Sequence, residues 1–501
     1  MASPNACRRV TLVFLFCLAM AMTSPAQTFK TLVNFDGTNG GFSYLGPLVQ
    51  GRDGNFYGTT SIGGTHDMGT IFKMTPKGKL TTLYAFCAQA NCADGANPVA
   101  GLLLGTDGNF YGTTAGGGEP GCDDDGGCGT VFKITPAGAL KTLHTFCVQK
   151  GCADGSNPFA RLIQASDGNF YGTTEGGGAN RFGTVFRITS EGHLTILYSF
   201  CARYGCTDGY APMGAVVQAT DGNLYGTTPY GGDDVYDGGY GTIFRITLAG
   251  KLTTIYNFCD NTCSDGAYPF DGPIRGADGN LYGTTAGGGN AEGEGTVFRL
   301  TESGVLTTLY TFCSQTGCAD GTGPYSAPIE GTDGNLYGET YQGGDSACNP
   351  PFGCGTLYKV TPAGAFTTLH RFDSTDGSNG FGMLVQGTVG NFYGTTGNGG
   401  VGGDSCSLPY GCGTVFGLHV GLAPFVAFVR DSGKVGQTGG ILGQGFTGTT
   451  SVSLNGTPAS FTVVSDTFIR ATVPAGATSG YVTVTTPSGT LTSNVPFYVI
   501  P

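Results

Sequence analysis

The chain has 501 residues, a formal net charge of −12, 92 glycines, 18 cysteines and no tryptophan. Charged residues make up only 12% of the chain and hydrophobic residues 39%, a balance that argues against a solvated, disordered protein. The acidic charge disfavours nucleic acid as a partner, because a polyanion is repelled by it.

Residues 1–26 have the pattern of a secretory signal peptide. Arg8 and Arg9 precede an apolar run at 10–22, which is too short to span a bilayer securely, and small residues at 24–26 fit a cleavage site. Cleavage removes two arginines and takes the net charge from −12 to −14. The alternative is an uncleaved membrane anchor. No later stretch is long and apolar enough to cross a membrane, so no transmembrane segment is expected after cleavage.

One eight-residue motif recurs throughout the next four hundred residues. Its first copy is Asp53-Gly-Asn-Phe-Tyr-Gly-Thr-Thr60, and the copies are 54 to 60 residues apart. They begin at Asp53, Asp107, Asp167, Asp221, Asp278, Asp333 and, in degraded form, Val389. A period of this size predicts a repeat architecture. We interpret the repeated aspartate as a hairpin-turn residue and not as a metal ligand, since Asp-Gly is a turn signal and the last copy lacks it.

Each repeat contains four short segments that favour strands. In the second repeat they are residues 97–106, 109–114, 129–135 and 140–146, with turn residues between them and no helical period. Four short antiparallel strands per repeat are typical of a propeller blade.

The two ends of the repeat region predict how it closes. The third-strand and fourth-strand patterns each occur seven times, but the first fourth-strand copy is residues 29–35 and none follows residue 416. The sequence therefore predicts an all-β fold, a seven-bladed β-propeller at 27–418 closed by the N-terminal strand, which leaves no open edge. An open β-solenoid is the alternative.

The propeller prediction sorts the connections onto two faces. The turn face carries the short Asp-Gly-Asn and Pro-x-Gly turns, which are nearly uniform. The loop face carries the variable connections, including acidic insertions such as Glu292 and Glu294, and every cysteine pair. A rigid scaffold with varied loops on one face is a common way to build a binding surface. The alternative to a binding surface is that these loops vary in sequence because no function constrains them.

Sixteen cysteines remain after signal cleavage, and they fall into eight close pairs. The pairs are Cys87/Cys92, Cys122/Cys128, Cys147/Cys152, Cys201/Cys206, Cys259/Cys263, Cys313/Cys318, Cys348/Cys354 and Cys406/Cys412. An even number with none left over indicates disulfides formed in an oxidising compartment. Zinc sites are the alternative, which requires two pairs brought together.

Few residues offer metal binding or catalysis. Asp123, Asp124 and Asp125 are the candidate cation ligands, with calcium as the ion, because hard cations prefer clustered carboxylates. His144 and His370 take the place of a tyrosine in sister strands, so we interpret them as packing variants. No nucleophile motif accompanies them.

The last eighty residues predict a separate domain. Residues 419–423 form a linker, and 424–501 contain short strands that suggest a small immunoglobulin-like β-sandwich without cysteines. Residues 441–446, 473–476 and 480–484 resemble the IPT/TIG immunoglobulin-like domains.

Three motifs recur in the same order over residues 28–420: Asp-Gly-Asn-Phe-Tyr-Gly-Thr-Thr, Gly-Thr-Val-Phe-Lys-Ile-Thr-Pro and Leu-Thr-Thr-Leu-Tyr. They resemble the GloVer (Gloeo/Verruco) tandem repeat. This resemblance implies an exported bacterial protein, secreted or attached to the cell surface, and supplies no activity or site residues. The IPT/TIG-like domain stands where that family often has an anchor.

We therefore expect a non-catalytic secreted or cell-surface binding or scaffolding protein that presents a disulfide-closed loop face, with a glycan or matrix protein as ligand and no cofactor. The alternative is a propeller-type polysaccharide hydrolase or lyase. That chemistry needs two carboxylates that converge near the axis, for which Glu175, Glu330 and Glu339 are the candidates.

Overall fold

The computed structural model describes residues 27–118, 127–233, 238–259, 262–400 and 411–500. Over these ranges the chain is all-β, and its helices are four single 3₁₀ turns: Ala90–Cys92, Lys150–Cys152, Tyr204–Cys206 and Thr316–Cys318. Within the described ranges no helix is long and apolar enough to cross a membrane.

The repeats form four-stranded antiparallel sheets in which the strand order follows the chain, after an N-terminal strand β1 at Thr28–Asn34. The first sheet contains β2 Val49–Gln50, β3 Phe56–Thr60, β4 Thr70–Met74 and β5 Leu80–Ala85. The second contains β6 Leu103–Leu104, β7 Phe110–Thr114, β8 Thr130–Ile134 and β9 Leu140–Thr145. The third contains β10 Ile163–Gln164, β11 Phe170–Thr174, β12 Thr184–Ile188 and β13 Leu194–Ser199.

The next three sheets repeat this plan. The fourth contains β14 Val217–Gln218, β15 Leu224–Thr228, β16 Thr242–Ile246 and β17 Leu252–Asn257. The fifth contains β18 Ile274–Arg275, β19 Leu281–Thr285, β20 Thr296–Leu300 and β21 Leu306–Thr311. The sixth contains β22 Ile329–Glu330, β23 Leu336–Glu339, β24 Thr356–Val360 and β25 Phe366–Arg371.

The seventh sheet takes its fourth strand from the other end of the chain. It contains β26 Val385–Gln386, β27 Phe392–Thr395 and β28 Thr414–His419, and its strand order is β1-β28-β27-β26. Thr28 pairs with His419, and Asn34 pairs with Thr414, in antiparallel register. The N-terminal strand thus completes the last repeat, as the shifted pattern counts predicted.

Four pairs of neighbouring sheets share the same aromatic contact, and in three others the tyrosine packs with Leu224, Leu281 or Leu336 instead. The ring of Tyr57 in the first sheet lies 4.1 Å from Phe110 in the second, measured between centroids. Phe56 of the first sheet lies 4.2 Å from Tyr393 of the seventh. Each sheet therefore has a neighbour on both sides, and the buried clusters between them form the core. This is the packing expected of propeller-like repeats.

The repeated aspartate is a turn residue, as predicted. In the first copy, one oxygen of the Asp53 carboxylate accepts from the backbone N–H of Asn55 at 3.2 Å. The other accepts from the amide nitrogen of Asn55 at 2.8 Å and the hydroxyl of Tyr57 at 3.0 Å. Lys73 adds an ion pair at 2.6 Å. The carboxylate closes the turn and anchors a tyrosine whose ring packs in the core.

The prediction for the first strand of each blade was wrong in length. Residues 97–106 form only the two-residue strand Leu103–Leu104. Pro98 has no N–H to give to a ladder. The carbonyls that follow it pair with the preceding repeat instead: Val99 accepts from the N–H of Leu45 at 3.0 Å, and Ala100 accepts from the Thr59 hydroxyl at 2.8 Å. This segment joins two sheets and does not extend one.

The chain after His419 forms a separate unit of two four-stranded antiparallel sheets and one parallel pair. Its strands are β29 Ala427–Phe428, β30 Ser432–Lys434, β31 Thr438–Leu442, β32 Ser451–Leu454, β33 Thr457–Pro458, β34 Phe461–Ser465, β35 Phe468–Thr472, β36 Val482–Thr486, β37 Gly489–Thr492 and β38 Tyr498–Ile500. The sheets β29-β31-β35-β34 and β33-β32-β36-β37 share one core, in which Phe446, Ile469 and Val484 have no exposed surface.

The C-terminal unit packs on the turn face of the repeats, which the sequence did not predict. The Arg52 guanidinium lies over the Phe468 ring at 4.6 Å, and the Thr467 hydroxyl donates to the Arg52 carbonyl at 2.7 Å. Arg275 of the fifth sheet forms an ion pair with Asp431. A cavity of about 310 Å³ remains between the unit and the third to fifth sheets. Arg52 lies in a turn, and Arg275 lies in β18 next to the equivalent turn of its repeat, so the unit leaves the loop face uncovered.

Candidate binding face

Aromatic side chains gather on the loop face, near the axis around which the sheets are arranged. Eleven rings form one connected network, which we call the aromatic face. Its members are Phe42, Tyr44, Phe182, Tyr210, Tyr230, Tyr240, Tyr268, Phe270, Tyr325, Tyr341 and Phe381. Phe381 is buried, Phe182 is 43% exposed and the other nine are half-buried. The network therefore presents ring surface to solvent over most of its extent.

The ring contacts are close and continuous. The centroids of Tyr44 and Phe381 lie 4.6 Å apart, and those of Phe381 and Tyr325 lie 5.6 Å apart. The series continues from Tyr325 to Phe270 at 5.3 Å and from Phe270 to Tyr230 at 6.2 Å. Aromatic pairs prefer these separations. The face thus runs from the first sheet through the seventh, sixth and fifth sheets to the fourth without a break.

The backbone at two members of the aromatic face is unusual for such bulky residues. Phe42 has φ 52° and Tyr268 has φ 60°, in the left-handed region. At the same place sister repeats carry residues that tolerate this conformation, including Asn97, Asn157 and Gly323. Outliers of this kind persist where the surroundings hold them, and they concentrate at functional sites.

Six tyrosines of the aromatic face have no hydrogen-bond partner for the hydroxyl within the described ranges: Tyr44, Tyr210, Tyr230, Tyr240, Tyr325 and Tyr341. The tyrosines of the repeated eight-residue motif do have hydroxyl partners, since the hydroxyl of Tyr57 donates to Asp53 and that of Tyr111 donates to Asp107. Burial raises the pKa of Tyr44, Tyr230 and Tyr325, so their hydroxyls stay protonated and able to donate. These donors are unused by the fold.

Two half-buried carboxylates adjoin the aromatic face. Burial raises the pKa of Glu175, and the Glu175 charge adds to the effect of burial in raising the pKa of Tyr44 and Tyr230. Burial also raises the pKa of Glu294, with Glu292 contributing, and Glu294 in turn acts on Tyr325. Neither the Glu175 nor the Glu294 side chain has an ion pair or hydrogen bond with the described part of the chain. Both are acceptors without a partner.

An arginine and an aspartate lie below the aromatic face. Arg161 and Asp271 line a space of about 10 Å³ with Phe159 and Phe270, which is room for about one water molecule. The Asp271 carboxylate accepts from the N–H of Gly272 at 2.8 Å and from that of Ala327 at 3.1 Å. Burial raises the pKa of Asp271, and the Arg161 charge counteracts this rise. The Asp271 carboxylate is therefore engaged within the protein.

The three carboxylates proposed for hydrolysis lie in three different places. Glu175 adjoins the aromatic face. Glu330 lies near the turn face, where its carboxylate accepts from the N–H of Ala277 at 2.7 Å, as the Gln164 side chain does from Thr106. Glu339 is fully buried in the sixth sheet. The structure does not bring the three together.

The disulfide prediction is confirmed wherever both cysteines lie in the described ranges. Six bonds are present: Cys87–Cys92, Cys147–Cys152, Cys201–Cys206, Cys259–Cys263, Cys313–Cys318 and Cys348–Cys354. Cys128 and Cys412 are also disulfide-bonded, and their expected partners Cys122 and Cys406 lie outside the described residues. Cys128 lies close enough to the Cys147–Cys152 bond to suggest a metal cluster, but none of these sulfurs is a free thiolate.

The candidate cation ligands Asp123, Asp124 and Asp125 lie outside the described residues. The aspartates that follow the cysteine loops have structural roles. Asp94 has no exposed surface and accepts from the Tyr84 hydroxyl at 2.8 Å and the Ala88 N–H at 3.0 Å.

The two histidines make the contact that a tyrosine makes in sister strands. His144 lies 3.2 Å from Asp154, and His370 lies 2.7 Å from Asp376, each measured from Nε2 to a carboxylate oxygen. The interpretation of both histidines as packing variants is confirmed.

The sequence contained a signal for the aromatic face that the repeat pattern obscured. Phe270 and Tyr325 each follow a proline at the same repeat position, and Tyr44 and Phe381 hold that position in the first and seventh repeats. Because these residues are far apart in the chain, only their shared register indicates that they meet.

Tandem four-stranded sheets with an open aromatic face define a repeat protein of the propeller-like class. The chain belongs to the family described as the Gloeobacter/Verrucomicrobia repeat, whose model matches residues 18–237 and 234–463. None of the curated proteins compared with the sequence matches it.

Among solved structures, the chain is similar to a fungal alcohol oxidase of the AA5 family in complex with copper, at 14% identity, covering 92% of this chain and 98% of that one with a TM-score of 0.50. It is also similar to a luciferin-regenerating enzyme, at 11% identity, 80% and 98% coverage and a TM-score of 0.40. A gluconolactonase from Xanthomonas campestris matches at 12% identity, 58% and 78% coverage and a TM-score of 0.32. At such identities, the first likeness concerns the fold alone.

Proposed function

We propose that the mature chain is a non-catalytic binding protein of the cell exterior and that its ligand occupies the aromatic face. The observation that carries this proposal is the set of six free tyrosine hydroxyls and two free carboxylates on a half-buried aromatic surface. Ligand sites are commonly lined by aromatic side chains, with a small number of polar groups that fix the orientation of the ligand.

The proposal includes a seven-bladed propeller that the strand β1 closes, followed by an IPT/TIG-like domain at 424–501. Seven four-stranded sheets and the pairing of β1 with β28 support the blade count and the closure. Two sheets with one core support the immunoglobulin-like assignment. Because this domain packs on the turn face, it favours the loop face as the side open to ligands.

The disulfides favour a role outside the cell. Disulfides close six loops of the described chain, and such bonds persist in oxidising compartments. The signal-like residues 1–26 agree with this setting. We propose a secreted or surface-associated protein. Hydrolysis or lysis of a polysaccharide is less well supported, since Glu175, Glu330 and Glu339 do not form a pair.

A sedimentation experiment tests the binding function. The mature protein is mixed with insoluble chitin, cellulose, bacterial cell-wall sacculi or collagen fibrils, and the bound fraction is measured. We expect one of these polymers to sediment the wild type. The double variant Tyr44→Ala/Tyr325→Ala should lower the bound fraction at least tenfold, because it removes two of the rings. The control Lys77→Ala alters an exposed residue of the turn face and should bind as the wild type does. No sedimentation, or equal sedimentation of all three proteins, contradicts the proposal.

A further inference from the structure

We propose that the aromatic face binds a neutral polysaccharide. Its sugar rings would lie on Tyr44, Tyr325 and Tyr230, and its hydroxyls would donate to Glu175 and Glu294. This inference rests on the proposed binding function and specifies the ligand class.

The continuity of the ring network favours a sugar polymer. A hexopyranose has a flat face of C–H groups, which packs on an aromatic ring, and a rim of hydroxyls that need partners. Tyrosine suits both parts, since it offers an apolar ring and a polar hydroxyl at its end. The network extends from Tyr44 in the first sheet to Tyr230 in the fourth. That extent provides several successive platforms, which fits a chain of sugars better than a single one.

The two carboxylates favour a neutral sugar. A carboxylate accepts hydrogen bonds from hydroxyl groups, and bonds to charged acceptors are stronger than those between neutral groups. Glu175 and Glu294 have no cation beside them among the described residues to occupy their oxygens. Their negative charge and the net charge of −12 would repel a polyanionic ligand.

The spacing of the rings disfavours a cage for a quaternary ammonium group. Such a cage surrounds a void with ring faces that point at one centre. Here neighbouring rings touch one another, at 4.5 Å between Phe381 and Tyr341 and at 5.3 Å between Tyr230 and Tyr210. They form a surface and leave no gap between adjacent members for a cation.

Affinity gel electrophoresis tests the ligand class with the mature protein in native gels. The gels contain laminarin, xylan, galactomannan, hydroxyethyl cellulose or dextran, with polygalacturonate as the anionic arm. We expect at least one neutral polysaccharide to retard the wild type. Tyr325→Ala should raise the dissociation constant at least tenfold, and Tyr325→Phe, which keeps the ring, by less than fivefold. The matched control is Tyr204→Ala, since Tyr204 is 97% exposed on the same face and outside the ring network.

The carboxylate variants separate a sugar from a cation. Glu175→Gln keeps an oxygen acceptor, so sugar affinity should fall threefold to tenfold, and tetramethylammonium should not displace the polysaccharide. Unchanged thermal unfolding of each variant checks that the fold is intact. Retardation by polygalacturonate alone, displacement by tetramethylammonium, or equal retardation of wild type and Tyr325→Ala overturns the glycan proposal.

The two proposals fail in different ways. If collagen sediments the protein through Tyr44 and Tyr325 while no polysaccharide retards it, the binding function stands and the glycan ligand is wrong. If no polymer binds in either experiment, both are wrong.

Discussion

Phe35→Ala should lower the free energy of unfolding as much as Phe86→Ala does, by about 3–5 kcal/mol each. Phe35 follows β1 as Phe86 follows β5, so they hold the same repeat position. Phe35 is 1% exposed, and its ring lies 5.5 Å from that of Phe72. Phe86 has no exposed surface and lies 5.3 Å from Phe132. If β1 closes the ring, the closing contact should contribute as much as an internal one.

Denaturant-induced unfolding measures this effect. Both variants should unfold in the same single transition as the wild type, at a lower denaturant concentration. Val305→Ala, at a 61% exposed position, is the control and should change stability by less than about 0.5 kcal/mol. A cost below about 1 kcal/mol for Phe35→Ala alone, or a separate early transition, would show that the N-terminal strand is dispensable.

Glu339→Gln should remove a destabilisation that grows with pH. Glu339 stands where Thr59 and Thr284 donate to carbonyls of the next sheet. It is fully buried, neither of its carboxylate oxygens has a hydrogen-bond partner among the described residues, and burial raises its pKa well above the ordinary value of 4.5. Burial therefore favours the neutral form of this carboxyl in the folded chain.

The sign of the pH effect follows from that shift. Because the folded pKa exceeds the unfolded one, the contribution of Glu339 to stability is fully present below pH 4.5 and is lost as the pH rises through the folded pKa. The loss amounts to about 1.4 kcal/mol for each pH unit between the two values. In thermal unfolding from pH 4 to pH 8, the unfolding temperature of Glu339→Gln should rise relative to that of the wild type as the pH rises.

The exposed Glu292 supplies the matched control for this series. Glu292→Gln should track the wild type across the same range. A constant difference between Glu339→Gln and the wild type at every pH would mean that Glu339 has an ordinary pKa in the folded chain.

Local, periodic features of this chain could be predicted from the sequence. The turn at Asp53 and the Cys87–Cys92 bond depend on residues close together in the chain, and the sequence repeats them. The pairing of β1 with β28 joins distant residues, but the shifted pattern counts required it. In each case the repeated sequence pattern was sufficient to predict the structural feature.

Features that differ between repeats could not be predicted in the same way. The aromatic face depends on which repeats carry an aromatic residue near the axis, so Tyr44 meets Phe381 only after the last sheet packs beside the first. The docking of the C-terminal unit through Arg275 and Asp431 has no counterpart in other repeats. The two-residue first strand resulted from hydrogen bonds between sheets, which strand propensity does not describe.

From the sequence we expected the disulfide-closed loops to form the binding surface itself. In the structure they lie outside the aromatic face. The ring network contains none of the loop residues between Cys201 and Cys206, and Tyr204 in that loop projects into solvent. The closed loops hold buried aspartates such as Asp208, which accepts from the hydroxyl of Tyr198 at 2.7 Å. We propose that they brace the rim around the aromatic face.

A crystal structure of the mature protein with an oligosaccharide of the retarding polysaccharide would locate the ligand site. We expect sugar rings against Tyr44 and Tyr325 on the loop face, with hydroxyls within hydrogen-bond distance of Glu175. An oligosaccharide bound in the cavity of about 310 Å³ beside Arg275, or on the C-terminal unit, with the aromatic face empty, would contradict this expectation.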